Sequence, residues 1–140
     1  MTPLERITKR VNRDGDVNAS DTPRPELTLE EFFEGNQADG CICCNLSPMP
    51  SPADVHALLE RIRARDDVAD VRIEITMFDD PDFWPFSDTV WIVTSASPDD
   101  VHSWFDDSIA PDECDDWAGE IAREQFPIPT GMHAVRCWWD

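Results

Sequence analysis

The sequence predicts an α+β fold: a ferredoxin-like βαββαβ arrangement on a four-stranded antiparallel sheet, with one extra helix before the last strand and a peripheral N-terminal segment. Three observations predict it. Apolar residues recur at helical spacing after Ser51-Pro52 and again after Ser97-Pro98. Val71 to Phe78 and Met132 to Trp139 alternate apolar with polar, the pattern of half-buried strands. Thr89 to Ala96 is apolar on both faces through its middle, the pattern of a central strand. A chain of 140 residues and 15.9 kDa holds one core comfortably and two poorly. The organisation expected is therefore a flexible or peripheral extension over 1–26 and a single domain over 27–140.

The elements follow in order. Thr2-Pro3 caps a short helix carrying Leu4, Ile7 and Val11. Asn12 to Pro25 is polar, holds Gly15, Pro23 and Pro25, and reads as a linker. Thr28 at N-cap with Glu31 at N3 forms a capping box for a helix through Phe32 and Phe33, ended by Gly35-Asn36. Cys41 to Leu46, bounded by Gly40 and the Pro48/Pro50 pair, is taken as strand one. Ser51-Pro52 starts a helix with Val55, Leu58, Leu59 and Ile62 on one stripe. Val71–Phe78 and Thr89–Ala96 are the next two strands. Ser97-Pro98 starts a second main helix, with Val101, Trp104 and Phe105 on one face. Asp112 to Gln125 reads as a third helix through Cys114, Trp117, Ala118 and Ile121, stopped by Pro127 and Pro129. Met132–Trp139 closes the sheet. The ferredoxin-like order puts Cys41–Leu46 and Thr89–Ala96 side by side in the middle, and the two alternating strands at the edges.

Charge sets the sign of any partner. Thirty Asp+Glu face eleven Lys+Arg, for a net charge of −19. That balance excludes a phosphate backbone as partner, which needs clustered cations, and an anionic lipid surface. No apolar run reaches the roughly 20 residues of a membrane helix. Twenty acidic residues are Asp and ten are Glu; ten basic residues are Arg and one is Lys. Two causes fit this usage: a GC-rich genome, or a high-salt cytosol whose ions screen self-repulsion. The N-terminus lacks the apolar stretch of a secretory signal, and five cysteines suit reduced thiols in a cytoplasm.

Few residues suggest chemistry. Cys41, Cys43 and Cys44 on a flat strand do not wrap a zinc ion well, and only His133, near Cys137, offers a fourth ligand. Small buried hydrophobes are the simpler reading of these thiols. No nearby cation or helix start lowers a thiol pKa. His56 and His102 sit one step off their helices' apolar stripes, as solvated flank residues. No catalytic residue, metal or cofactor is assigned, and the protein is read as a non-enzyme.

The most distinctive segment is Met77 to Asp88. Asp79, Asp80, Asp82 and Asp88 lie among Phe78, Phe83, Trp84 and Phe86. The run lacks the glycine and the bidentate glutamate of a calcium loop. Two readings fit: the aromatics fold back to cap the core while the carboxylates face water, or aromatic anchors inside an acidic rim contact a basic protein. Trp138 joins this candidate set from another place: if Val135, Cys137 and Trp139 are core, it is left on the open face of the sheet. That face takes the 1–35 segment as cover, a second copy of the chain as a homodimer, or a ligand.

The segments Leu29-Glu30-Glu31-Phe32-Phe33-Glu34-Gly35-Asn36, Cys43-Cys44-Asn45-Leu46, Trp84-Pro85-Phe86-Ser87-Asp88 and Trp138-Trp139-Asp140 resemble a group of small acidic bacterial proteins of an uncharacterised family. The resemblance covers residues 27 to 140 and leaves 1–26 outside. Since no function is assigned to that group, it implies no site residue. The expectation is a protein of unknown function acting as an acidic, non-catalytic interaction module, immunity- or inhibitor-like, on a basic protein partner. Two alternatives stand beside it: a small ligand-binding domain or enzyme of ferredoxin-like fold, and a structural homodimer or assembly subunit.

Overall fold

Helix starts in this chain are written by short polar residues followed by proline or glutamate, and the computed structural model, which describes residues 1–117 and 122–140, places them as expected. Helix α1 spans Pro3–Val11 behind Thr2, α2 Leu29–Phe33 behind Thr28, α3 Pro52–Arg63 behind Ser51 and α4 Pro98–Ser103 behind Ser97. Each cap hydroxyl accepts a backbone N–H three residues on, satisfying a donor that the first helical turn leaves orphaned. Both capping boxes, at Thr2/Glu5 and Thr28/Glu31, are closed in the reciprocal sense.

Five antiparallel strands form one sheet in the order β1-β2-β3-β5-β4. They are β1 Glu26–Leu27, β2 Val68–Glu74, β3 Thr89–Thr94, β4 Glu113–Asp115 and β5 His133–Trp138. All six residues of β3 are buried and it holds the centre, as its two apolar faces require. Register runs Ile73 to Val90 and Val90 to Cys137 across β2, β3 and β5. Leu27, Val71, Ile73, Val90, Ile92, Val135 and Cys137 thereby share one face. Val55, Leu58, Leu59 and Ile62 of α3, with Phe32 and Phe33 of α2, close that core.

Four expectations change. Cys41–Leu46 is a loop and not a central strand. Ile42 meets Ser87 in a single parallel bridge, Cys43 has φ +58°, and Leu46 N–H bonds back to the Cys43 carbonyl. Cys41, Ile42 and Cys43 are buried in succession, so the segment plugs the end of the core without strand alternation. A short apolar run has no period of its own. Secondly, the expected third helix over Asp112–Gln125 is broken: Glu113–Asp115 is the edge strand β4 paired with β5, and 122–126 is extended. Asp and Cys are weak helix formers, and the free edge of β5 offers ladder bonds. Ala118 and Ile121, also placed on that helix, lie outside the described residues.

Thirdly, the four-stranded ferredoxin-like order is replaced by five strands. Both alternating strands, β2 and β5, are interior; the edges are the two- and three-residue strands β1 and β4. Finally, the 1–26 segment contributes Ile7, Val11 and Val17 to the core and its last residue, Glu26, begins β1. Helix α1 packs on α2, and Gly35 explains how. Its φ is +75°, and a Cβ there would lie 2.6 Å from Pro3 Cβ. Only glycine lets the turn after α2 approach the start of α1 this closely.

Candidate functional site

The loop between β2 and β3 is held by hydrogen bonds of its own and to neighbouring segments. Phe86 N–H donates to the Met77 carbonyl at 2.8 Å and Met77 N–H returns to Phe86 at 3.4 Å, closing the base of the loop. Asp80 makes its tip: its side chain accepts Asp82 N–H at 2.9 Å and its carbonyl accepts Phe83 N–H at 3.1 Å. Asn18 clamps one flank, donating Nδ2–H to the Phe78 carbonyl and accepting Phe78 N–H. Trp84 clamps the other. Its indole is buried and donates Nε1–H to the Phe32 carbonyl at 2.9 Å, tying the loop to α2.

The seven loop residues expected to form one contact surface separate, while Trp138 is expected apart from them, on the sheet. Asp79, Asp80, Asp82 and Phe83 are exposed together, and Phe83 keeps 46% of its surface in water. Met77, not in the expected set, joins them at 43%. A shallow cleft of about 200 Å³ lies among Met77, Phe78, Phe83 and Phe86, with Asp79 and Asp80 at its rim. Trp84 presents no ring outward, because its burial holds the loop down. Phe86 is half-buried at the loop base. Asp88 is half-buried and turned inward to accept the Thr89 hydroxyl at 2.8 Å. Trp138 lies on β5, is half-buried and belongs to the other side of the sheet.

Three of the five thiols, Cys41, Cys43 and Cys137, are buried core residues, Cys114 is half-buried and Cys44 is exposed. Burial pushes the Cys41 thiol up to about 11 and the Cys43 thiol higher still. Cys137 is raised well above the ordinary thiol value by burial and by Cys114, its cross-strand partner, whose sulfur lies 3.6 Å away. Cys41 and Cys43 are on the 40–46 loop and Cys137 is on β5, and among the described residues no group of three or more His, Cys, Asp or Glu is placed to hold a metal ion. His133 Nε2 bonds the Ala96 carbonyl, and His56 stacks on Phe33 at 4.6 Å. His56 also meets Glu60 at 3.0 Å, and His102 bonds the Pro111 carbonyl.

The second face of the sheet is polar and partly roofed. Trp91 points there from β3, only 1% exposed, under the guanidinium of Arg123, whose Cζ stands 4.0 Å from the ring centroid. The 1–35 segment supplies part of the roof, with Arg24 paired to Glu74 and Arg10 and Arg13 at its rim, and the 122–126 strap supplies the rest. The strap bonds to Arg24 from both sides: Arg24 N–H to the Ala122 carbonyl and Glu124 N–H to the Arg24 carbonyl, each at 2.9 Å. Beneath it lie two carboxyls in cross-strand register, Glu26 and Glu74. Glu74 accepts from Trp91 Nε1 at 3.0 Å and from Arg24 at 3.2 Å. Glu26 accepts from Arg123 at 3.2 Å through one oxygen; its Oε2 has no partner. Burial, then the neighbouring Glu74, push the Glu26 carboxyl up to about 9 against the pull of Arg123. The ion-pair geometry alone suggests a charged Glu26. One guanidinium does not offset burial and a second carboxylate, so Glu26 holds its proton at neutral pH.

With both surfaces described, the chain can be set beside known proteins. The model of the Uncharacterized protein YfbO family matches residues 2–137. The chain belongs to this family. A curated protein of Escherichia coli (strain K12), named Uncharacterized protein YfbO, is 54% identical over 141 residues, spanning 100% of both chains. No solved structure matches. The resemblance seen in the sequence thus leads to an uncharacterised bacterial family, as expected. It also reaches further: the match includes the 2–26 segment that packs into the core.

What sequence reading missed in this YfbO-family chain is the grouping of arginines. Arg10 and Arg13, Arg72, and Arg123 come from three distant stretches of the chain yet line one cleft of about 420 Å³ on the second face. The signal was scarcity. With eleven basic residues in 140, their positions carry more information than in an ordinary protein, but no spacing rule joins α1, β2 and the strap. Among the described residues no helix is long and apolar enough to cross a membrane.

Proposed function

We propose that the chain is a non-catalytic cytoplasmic module that docks on a basic protein through its 77–83 loop, in the manner of an immunity or inhibitor protein. One observation carries the reading: Phe83 and Met77 are exposed on a loop already fixed by its own hydrogen bonds and ringed by Asp79, Asp80 and Asp82. A loop ordered beforehand loses little conformational entropy on binding. An aromatic side chain is an effective anchor, and surrounding carboxylates speed encounter with a cationic surface. The net charge of −19 extends that attraction over the whole molecule. Buried, protonated thiols suit a role without covalent catalysis.

The test compares the wild-type chain with Phe83→Ala and with a triple Asp79→Asn, Asp80→Asn, Asp82→Asn variant, each immobilised in cell lysate at about 0.15 M salt. The reading expects a basic protein retained by the wild type, lost from both variants and released as salt rises. The same proteins retained by all three would overturn it.

A further inference from the structure

The arginine cleft is a second surface, independent of the loop. Two of its arginines are already committed. Arg10 donates to Glu124 Oε1 at 2.8 Å, Arg13 bonds the other oxygen of Glu124, and Glu26 N–H donates to the same carboxylate at 2.8 Å. Two guanidiniums and an amide thus converge on one oxyanion, which shows that this corner stabilises such a group. The other two arginines are less engaged. Arg72 gives Nε–H to Asp70 at 2.7 Å and a long 3.4 Å bond to the Glu26 carbonyl. Arg123 gives only Nη1–H, to Glu26 at 3.2 Å. Their remaining N–H groups meet no acceptor among the described residues, and both side chains line the cleft.

These donors are held in place. Arg123 lies flat on Trp91, and the Arg123 and Arg72 side chains are 18% and 24% exposed. Beside them Glu26 is 1% exposed with Oε2 unpartnered. In a chain of charge −19, four guanidiniums against the carboxylates of Asp14 and Glu124 and the neutral Glu26 carboxyl make the cleft a local exception. We propose that this cleft binds a small molecule by an oxyanion head group, phosphate or carboxylate, gripped by Arg72 and Arg123. Arginine suits that task because its planar fork matches both head groups. A volume of about 420 Å³ is that of a metabolite site. A long polyanion is disfavoured by the charge of the rest of the surface.

Calorimetric titration of the full chain at about 0.15 M salt and neutral pH tests this, with inorganic phosphate and citrate as probes and sodium chloride matching ionic strength. The proposal expects saturable binding of at least one probe. Preference for phosphate identifies a tetrahedral head group, and preference for citrate a carboxylate. Arg72→Gln should weaken binding about ten- to hundredfold, while Arg61→Gln, on the exposed side of α3, should leave it unchanged. If Arg72→Gln does not fold, amide resonances decide: the probe should shift those of Arg72, Arg123 and Gln125 in the wild type. No saturable binding, equal binding by Arg72→Gln, or shifts confined elsewhere (an adventitious ion only) would overturn it.

Discussion

Replacing Glu26 by Gln should change how stability depends on pH. Glu26 faces Glu74 across the β1–β2 register, Arg123 from the strap and, through Glu74, Arg24. Arg10 and Arg72 each reach its backbone carbonyl, and Glu124 accepts its N–H. In the unfolded chain its pKa is the ordinary 4.5; in the fold it is about 9. Below 4.5 both states hold the proton and the stabilisation is complete. Between 4.5 and 9 the folded state keeps a proton the unfolded state releases, so stability falls as pH rises. The slope is about 1.4 kcal/mol per pH unit, or about 3 kcal/mol from pH 5 to pH 7. Glutamine cannot ionise and lacks this slope. Urea unfolding followed by tryptophan fluorescence at pH 5, 6, 7 and 8 measures it. The other carboxylates titrate in both proteins and largely cancel in the difference. Glu26→Gln should gain on the wild type by about 3 kcal/mol between pH 5 and 7. Parallel pH profiles would refute a neutral Glu26 and leave a charged pair with Arg123.

Three further outcomes are expected. Gly35→Ala forces a Cβ to within 2.6 Å of Pro3 in a φ +75° turn, and thermal unfolding should show a loss of about 1–3 kcal/mol. Trp84→Phe removes the indole donor from the Phe32 carbonyl; chemical denaturation should record about 1–3 kcal/mol lost, with faster amide exchange across 78–86. A thiol reagent applied to the native protein should label exposed Cys44 quickly, with Cys41, Cys43 and Cys137 reacting only on unfolding.

The legible parts of the fold were those with local causes. Ser51-Pro52 and the Val55, Leu58, Leu59, Ile62 stripe need nothing beyond their own helix, and they appear as read. Thr89–Thr94 is central because both of its faces are apolar. Failures came where distant partners decide. Glu113–Asp115 carries helical spacing only in prospect; the open edge of β5 turns it into a strand. Cys41–Leu46 looks like a strand by composition, but Cys43 at φ +58° and the bridge to Ser87 make it a plug. The loop was legible as an acidic and aromatic segment. Which aromatic faces water was not, since Trp84 goes inward only because the Phe32 carbonyl awaits it. The arginine cleft is a pure product of tertiary assembly.

Hydrogen-exchange footprinting of the chain with and without a basic protein recovered in the retention assay tests the proposed docking role of the 77–83 loop most directly. The expected footprint is added protection at residues 77–83, little change elsewhere, and no footprint for Phe83→Ala. Protection centred on the 122–126 strap or on α3, with 77–83 exchanging as in the free chain, would contradict it.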